Sequence, residues 1–429
     1  MKRKEFLAAG LGSAALFGLS GFLKAFAEGT ANAAVGKALA PWQPGHFQIH
    51  AIYTGVAESL FLIYPDGTTL LIDAGDHAAH KRGKLQIPIL PSMERHAGEW
   101  VSRYVLRVNP QGKKVDRFML SHYHSDHGGG LAYHAGKSAD GTYVKSGLGQ
   151  VIDYLDFSRA IDRAWPDFND PLPKNPKEDY SMIGNLRAVY AEMQRRGTKI
   201  EKFRLEKGSD QLDPLRGKPD GFSVQPLCAN GRILLPDGTV KDLYKPLLSR
   251  PNPPRSLNEN GMSLGMIFTY GKFRFYTAGD FSDGILVAPK KRIQIENELG
   301  KVCGPVNLAK VNHHGHHSMS MGLVRALKAQ AYFACMWDQL HMTADTMTRL
   351  SSREAYPEER LLCPAVFTKE RRVQDAAAPW VKDVPKALYE PKHLVFDVPP
   401  GGETFRLSCV RAADESMTVE SVIDFKTRT

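Results

Sequence analysis

The chain is poor in cysteine, with five cysteines in 429 residues and none in a Cys-x-x-Cys spacing. This scarcity argues against a disulfide framework and against a cysteine-rich zinc module. After residue 23 there is no apolar run of transmembrane length, no internal repeat and no low-complexity tract. Disordered, collagen-like and disulfide-dense classes are therefore excluded, and the apolar and charged content is that of an ordinary globular chain. We expect no stable membrane span in the mature chain.

The first 27 residues have the pattern of an export signal. A basic start, Lys2-Arg3-Lys4, precedes an uncharged run over 6–23, and Ala25-Phe26-Ala27 is similar to a cleavage site. The basic start also resembles a twin-arginine signal with Lys4 in place of the second arginine, so both export routes stay open. An uncleaved anchor is the alternative, although the run is short and interrupted by glycine. We predict a signal peptide at 1–27 and an exported, periplasmic or secreted protein.

The charge balance is mildly basic. The formal net charge is +10, but no dense run of lysine or arginine is present. This bias favours a small-molecule or anionic substrate and gives no specific support for nucleic acid as a partner. The sequence does not indicate an oligomeric state.

Histidines are concentrated in two short clusters, each directly after an apolar strand. Seven of the fifteen histidines lie at 122–127 and 313–317. In an extended turn, His122 and His124 point one way while Asp126 and His127 point the other, so one loop can serve two adjacent metal positions. Neutral imidazoles and carboxylates are ligands for zinc, and also for iron or manganese. Surface histidines scattered in loops are the alternative, and they would not cluster in this way.

These residues resemble the motifs of the metallo-β-lactamase superfamily. The similar motifs are, in chain order, Asp73 in Ile-Asp-Ala-Gly, the cluster of His122, His124, Asp126 and His127, Asp280 in Ala-Gly-Asp, and the pair His313 and His314. Their order and spacing are most similar to the branch with the ComEC-like competence hydrolase domain and the phosphorylcholine esterases. The similarity covers about residues 47–341.

The resemblance implies a fold and a division of the chain. The fold is α/β (α+β, four layers), an αββα sandwich with a helical or loop insert and a C-terminal β extension. We expect the metallo-β-lactamase-like domain at 28–345, with the insert at about 135–220, where the sequence is polar and proline-rich. The C-terminal extension at 346–429 is expected to pack on the same domain.

The resemblance also implies a zinc site of one or two ions, with manganese or iron as alternatives. The expected ligands of the first position are His122, His124 and Asp280. Those of the second are Asp126, His127, Asp280 and one of the adjacent residues His313 and His314. The superfamily usually supplies a further histidine, but none lies between His134 and His313. Asn258 or Asn260 is expected in its place, which would leave the first position weak or completed by water.

The expected chemistry is hydrolysis. A metal ion lowers the pKa of bound water, which then acts as a nucleophile at ordinary pH. Asp126 is expected to orient this water and accept its proton. Asp73 is expected to orient a ligand histidine. His341, which follows a late strand, is a candidate substrate contact or leaving-group acid, and a packed histidine is the alternative.

Together these features predict an exported metal-dependent hydrolase that uses metal-activated water. A phosphate ester or phosphodiester is the expected substrate, on the branch resemblance and the basic charge balance. An iron-containing oxidoreductase on the same fold and a hydrolase of a lactam or lactone are alternatives. A non-catalytic binding protein on a decayed scaffold is a further alternative, against which the intact motifs argue.

Overall fold

The computed structural model describes residues 34–77, 87–171, 180–251, 257–281, 285–288, 291–293 and 295–428. The predicted signal peptide lies outside these residues. Within the described ranges, no helix combines the length and the apolar character needed to cross a lipid bilayer.

The described residues form nineteen strands and nine α-helices. The strands are β1 (Phe47–Ala51), β2 (Leu60–Ile63), β3 (Thr69–Ile72), β4 (Lys114–Met119), β5 (Asp156–Asp162), β6 (Lys199–Lys202), β7 (Phe222–Ala229), β8 (Arg232–Leu234), β9 (Val240–Asp242), β10 (Gly265–Tyr270), β11 (Phe273–Thr277), β12 (Ile285–Ala288), β13 (Lys291–Ile293), β14 (Leu308–Lys310), β15 (Ala331–Ala334), β16 (Leu361–Pro364), β17 (Lys392–Val398), β18 (Thr404–Arg411) and β19 (Val419–Lys426). The helices are α1 (Ala97–Val108), α2 (Ser125–Gly128), α3 (Leu148–Val151), α4 (Tyr180–Arg195), α5 (Lys245–Leu248), α6 (Ile295–Cys303), α7 (Met321–Leu327), α8 (Ala344–Ser351) and α9 (Lys369–Gln374). Short 3-10 turns occur at Glu259–Met262, Asn312–Gly315, Pro379–Asp383 and Lys386–Tyr389.

The strands form two large mixed sheets and one small hairpin. The nine-stranded sheet has the order β19-β18-β17-β1-β2-β3-β4-β5-β6, and the eight-stranded sheet has the order β16-β15-β14-β11-β10-β7-β8-β9. In the first, β3, β4, β5 and β6 are parallel. In the second, β11, β14, β15 and β16 are parallel. Loops that follow neighbouring parallel strands therefore emerge at the same edge of each sheet.

The central core lies between the two large sheets. Phe47 of the nine-stranded sheet packs in one apolar cluster with Phe268, Phe275 and Phe333 of the eight-stranded sheet. Ring centroids are 5.7 Å apart for Phe268 and Phe275, and 5.9 Å apart for Phe275 and Phe333. These alternating inward-facing aromatic residues explain why two sheets stack here.

Helices cover the outer face of each sheet. Leu71 and Phe118 of the nine-stranded sheet pack against Val101 of α1 and Leu186 of α4. On the other side, an outer cluster joins the eight-stranded sheet to α6, α7 and α8 through Tyr276, Ala309, Leu299, Leu323 and Met347. The layer order is helix, sheet, sheet, helix, which confirms the expected αββα sandwich.

The middle and the tail of the chain both add strands to the nine-stranded sheet. Residues 135–220 supply β5 and β6, with β5 paired to β4 and β6 paired to β5. Strand β6 is hidden in the sequence because it is an edge strand of sequence Lys-Ile-Glu-Lys, in which only Ile200 is buried. From the tail, β17 pairs with β1 on the other side, with Phe47 opposite Val398.

We expect the inter-sheet core to dominate stability. Phe268 is fully buried against Phe47 and Phe275, so Phe268→Ala should lower the free energy of unfolding by about 3–5 kcal/mol. Urea unfolding followed by circular dichroism measures this change. Val373→Ala is the control, because Val373 is 72% exposed, and it should change stability by less than about 0.5 kcal/mol. Equal effects of the two substitutions would contradict this placement of the core.

Candidate metal centre

Loops that are distant in sequence meet where parallel strands end. Asp73 follows β3, and the 122–127 cluster follows β4 of the same sheet. Asp280 follows β11, and the pair 313–314 follows β14 of the other sheet. Both sheets therefore contribute polar residues to a single site, five from the nine-stranded sheet and three from the eight-stranded sheet.

The densest part of this site surrounds the Asp280 carboxylate. Asp280 Oδ2 lies 3.2 Å from His127 Nε2 and 3.3 Å from His314 Nε2. The two imidazole nitrogens are 3.3 Å apart, and His314 Nε2 lies 3.0 Å from Asp126 Oδ2. Ligands of a tetrahedral zinc ion, each about 2.1 Å from the metal, are about 3.4 Å from one another. The donor atoms thus have the chemistry and the separations that a divalent metal ion requires.

A second group of donors lies beside Asp280. His122 Nε2 is 3.9 Å from Asp280 Oδ2 and 3.1 Å from His124 Nδ1. His122 is fully buried, whereas His124 is partly exposed. His122 and His127 therefore both approach Asp280. His124 contacts His122, and Asp126 contacts His314.

The adjacent histidines 313 and 314 have different surroundings. His314 Nδ1 is 2.9 Å from the carbonyl oxygen of Cys335, a contact that leaves Nε2 directed at the carboxylates. Both residues have left-handed backbone, with φ of 49° at His313 and 50° at His314. Non-glycine residues adopt this conformation at an energetic cost, and such strain is concentrated at functional sites. The geometry therefore places His314, rather than His313, among the donor residues around the Asp280 carboxylate.

His313 instead faces the residue expected to replace the missing histidine. Its Nε2 lies 3.1 Å from Asn260 Nδ2. Asn258 caps its own turn, since its side chain accepts a hydrogen bond from the Gly261 amide. Of the two asparagines, Asn260 is thus the one that reaches the site.

Asp73 contacts a donor histidine rather than the centre of the site. Its carboxylate lies 2.7 Å from His127 Nδ1 and accepts hydrogen bonds from the Ser121 amide and hydroxyl, each at 2.7 Å. A carboxylate on Nδ1 fixes the ring orientation and leaves Nε2 directed at Asp280. The contact is of the kind that the sequence predicts for Asp73, and its role stays a prediction.

Glu58 is the residue at this site that sequence reasoning missed. It lies with His127, Asp280 and His314 in a group whose candidate ligand atoms are all within 4.8 Å of one another. However, Lys310 Nζ is 2.8 Å from Glu58 Oε1, and both side chains are buried. Because the ammonium group already neutralises this carboxylate and repels a cation, we assign Glu58 to an ion pair beside the donor group. No pattern in a single chain links a glutamate before β2 to a lysine at the end of β14.

Trp337 and His341 cover the site from the loop after β15. Trp337 Nε1 donates to Asp126 Oδ2 at 2.7 Å. The His341 ring stacks on His314, with centroids 5.0 Å apart and planes at 14°. His341 is buried and its Nδ1 has no hydrogen-bond partner among the described residues. Burial, with His314 nearby, lowers the pKa of His341 well below its usual value. Because His341 is then a neutral imidazole, it suits the role of a substrate contact better than the role of a leaving-group acid.

The family comparison agrees with this geometry. Residues 53–191 match the family model of the metallo-beta-lactamase superfamily, and this range includes Asp73 and the 122–127 cluster. This part of the chain is therefore similar to the metallo-beta-lactamase superfamily. The match confirms the superfamily resemblance, and the more specific branch stays a prediction. The matched range ends before Asp280 and His314, which the fold brings to the same site. No curated protein matches the chain.

In this candidate metal site, protons occupy the imidazoles that face the carboxylates. Burial disfavours a charged His314, but Asp280 and Asp126 outweigh burial and raise its pKa to about 10. Burial is likewise outweighed at His127, where Asp280 and Asp73 raise the pKa well above the usual value. Burial opposes ionisation of Asp280, yet His314 and His127 hold its pKa well below the usual value. A metal ion must therefore displace protons from both imidazoles.

We expect metal affinity to rise with pH. Since His127 and His314 are protonated at neutral pH in the metal-free protein, deprotonation on raising the pH favours binding, with up to about two protons released per ion. Calorimetric titration of Zn²⁺ at pH 6.0, 6.8 and 7.5, in two buffers of different ionisation enthalpy, measures the affinity and the proton count. A Zn²⁺ affinity independent of pH, without proton release, would contradict these pKa directions.

Gly75 allows the loop after β3 to touch the 122–127 loop. A Cβ atom at Gly75 would lie 1.8 Å from the carbonyl oxygen of Asp126. The same two loops are joined by a hydrogen bond from Ala74 N to His127 O, at 2.8 Å. Glu58 N, in the loop before β2, also donates to Asp126 O at 2.9 Å. The glycine is required here by the close approach of two backbones.

Gly75→Ala should therefore disturb the candidate metal site directly. We expect a loss of about 1–3 kcal/mol in the free energy of unfolding and a decrease of about 10- to 100-fold in Zn²⁺ affinity. The control is Gly184→Ala in helix α4, where an added Cβ has no heavy atom within 4 Å. If Gly75→Ala binds Zn²⁺ with wild-type affinity, the close approach of Gly75 to the Asp126 backbone does not determine the geometry of the metal site.

Proposed function

We propose that the protein is an exported metal-dependent hydrolase that acts on a phosphate ester or phosphodiester. The observation that carries the proposal is the buried donor group in which Asp280 lies between His127 and His314. The superfamily consists largely of hydrolytic metalloenzymes, which supports an enzymatic role for the domain. Export is supported by the sequence of residues 1–27 alone.

The residues that would hold a metal ion are Asp126, His127, Asp280 and His314, with His122 and His124 available for a second ion. When bound, such an ion supplies Lewis acidity and lowers the pKa of water. Zinc is the ion we propose, and manganese or iron also suits nitrogen and oxygen donors.

Asp126 would orient the attacking water by accepting its hydrogen bond. Burial opposes ionisation of Asp126, but His127 and His314 outweigh burial and hold its pKa well below the usual value. The carboxylate is therefore ionised and remains a hydrogen-bond acceptor. The indole of Trp337 fixes one of its oxygens, so the direction of the carboxylate is set before a substrate arrives.

An anionic substrate is supported by the residues around Asp126. The rings of His77 and His341 lie 4.7 Å and 4.6 Å from Trp337, and His316 is an exposed imidazole 6.1 Å from His341. Imidazole N–H groups donate hydrogen bonds to phosphate oxygens. Together with the basic charge balance, this surrounding favours a phosphate group over a neutral substrate.

The proposal predicts hydrolysis of generic phosphate esters. With Zn²⁺ or Mn²⁺, the purified protein should hydrolyse bis-p-nitrophenyl phosphate or p-nitrophenyl phosphate. Asp126→Asn should lower kcat by about 10²- to 10⁴-fold, because the ionised acceptor is lost. Asp140→Asn, at an exposed turn, is the matched control and should retain wild-type activity.

Other outcomes of the same assay would overturn parts of the proposal. Turnover of a lactam or lactone without turnover of either phosphate ester would contradict the phosphate class. A coloured, iron-containing preparation that consumes dioxygen would favour an oxidoreductase. A fully metal-loaded protein that turns over none of these substrates would contradict an enzymatic role in hydrolysis.

A further inference from the structure

A buried ion pair joins the two sheets beside the metal centre. Arg163 directly follows β5 of the nine-stranded sheet, and Glu259 lies in the turn before β10 of the eight-stranded sheet. Arg163 Nε donates to Glu259 Oε1 at 2.6 Å, and Nη2 donates to Oε2 at 2.7 Å. The side chains are only 5% and 9% exposed. Such a bidentate contact fixes the relative orientation of the two side chains as well as their distance.

The same pair holds the backbone between two of the donor histidines. Glu259 Oε1 accepts a hydrogen bond from the Tyr123 amide at 2.9 Å, and Tyr123 separates His122 from His124. The Arg163 guanidinium also lies 4.1 Å from the centre of the Tyr123 ring. The loop that carries His122 and His124 is thus fastened to Glu259 through its backbone and to Arg163 through its side chain.

The residues that follow Glu259 contact the part of the metal centre that belongs to the eight-stranded sheet. Glu259 begins the turn that contains Asn260, whose amide lies 3.1 Å from His313 Nε2. Immediately afterwards, Ser263 Oγ accepts a hydrogen bond from the Asp280 amide at 3.0 Å. Displacement of Glu259 would therefore change the position of the His122–His124 loop relative to residues of the eight-stranded sheet.

The ion pair is itself firmly held. Arg163 Nη1 donates to the carbonyl oxygen of Asp170 at 2.7 Å and to Asn230 Oδ1 at 3.1 Å. Asn230 Nδ2 returns a hydrogen bond to the carbonyl oxygen of Arg163 at 2.7 Å. Removing one partner of a buried, fully hydrogen-bonded pair leaves an uncompensated charge, so the neighbouring loop should move when Glu259 is changed.

We infer that Glu259, held by Arg163, is a positioning residue for the His122–His124 half of the metal centre. The inference rests on the proposed metal centre. The donors His127 and His314 are oriented by separate contacts, from Asp73 and from the Cys335 carbonyl oxygen. Loss of Glu259 should therefore weaken one half of the centre selectively.

Titration of the metal-free, full-length mature protein with Co²⁺ tests this inference. Visible absorption reports the coordination of each bound ion, and competition with a chelator gives its affinity. We expect the wild-type protein to take up two equivalents. In Glu259→Gln, the ion at His127 and His314 should bind as before, while affinity for the other ion decreases by about 10- to 100-fold.

The control is Asp116→Asn. Asp116 is also a buried carboxylate paired with an arginine, 2.7 Å from Arg216, but it lies on β4 before the residues that lead to the metal-binding loop. It should leave both Co²⁺ affinities unchanged. If Glu259→Gln does not fold, Arg163→Lys keeps the positive charge while losing the bidentate contact, and it should show the same selective loss.

Three results would overturn the account. Unchanged Co²⁺ affinities and spectra in Glu259→Gln would contradict the positioning role, whatever the wild-type stoichiometry. Equal weakening of both ions would indicate a general structural effect instead of a selective one. A wild-type protein that binds no Co²⁺ would contradict the metal centre itself, and this failure is distinguishable because it does not depend on any variant.

Discussion

The carboxylate of Asp280 is held between imidazoles that come from the two different sheets. His127 and His314 each approach Asp280 Oδ2 to within hydrogen-bonding range, and Asp126 Oδ2 contacts the same Nε2 atom of His314. Buried carboxylates carry a large desolvation cost unless opposite charges compensate them. Protons on the imidazoles provide this compensation in the metal-free protein, and a divalent cation can replace them. The fold is thus arranged around a place where positive charge is required.

Several separate features maintain that arrangement. Asp73 fixes the ring of His127, while the glycine at position 75 allows two loops to come into backbone contact. Lys310 neutralises Glu58, so this neighbouring carboxylate does not add an uncompensated charge. The strained backbone at 313–314 orients neighbouring imidazoles towards different partners. These contacts fix the donor atoms before a metal ion or a substrate binds, which reduces the reorganisation that binding would require.

The candidate metal-binding residues could be predicted from the sequence more readily than the residues that hold them in position. The 122–127 cluster and Asp280 could be predicted because each lies in a short motif directly after an apolar strand. The αββα layers followed from the resemblance and agree with the structure. Glu58 and the Arg163–Glu259 pair could not be predicted, since their roles depend on contacts between distant segments whose local sequence is unremarkable. The edge strand β6 was also hidden, because three of its four residues are charged and no alternating apolar pattern results.

The central claim is that one buried metal position exists where the two sheets meet. An anomalous difference map from a Zn²⁺-loaded crystal, recorded at the zinc absorption edge, tests it most directly. The account predicts a peak about 2.0–2.2 Å from His127 Nε2, His314 Nε2 and a carboxylate oxygen of Asp280. An empty map at these atoms, or a zinc peak bound only by other residues, would contradict it.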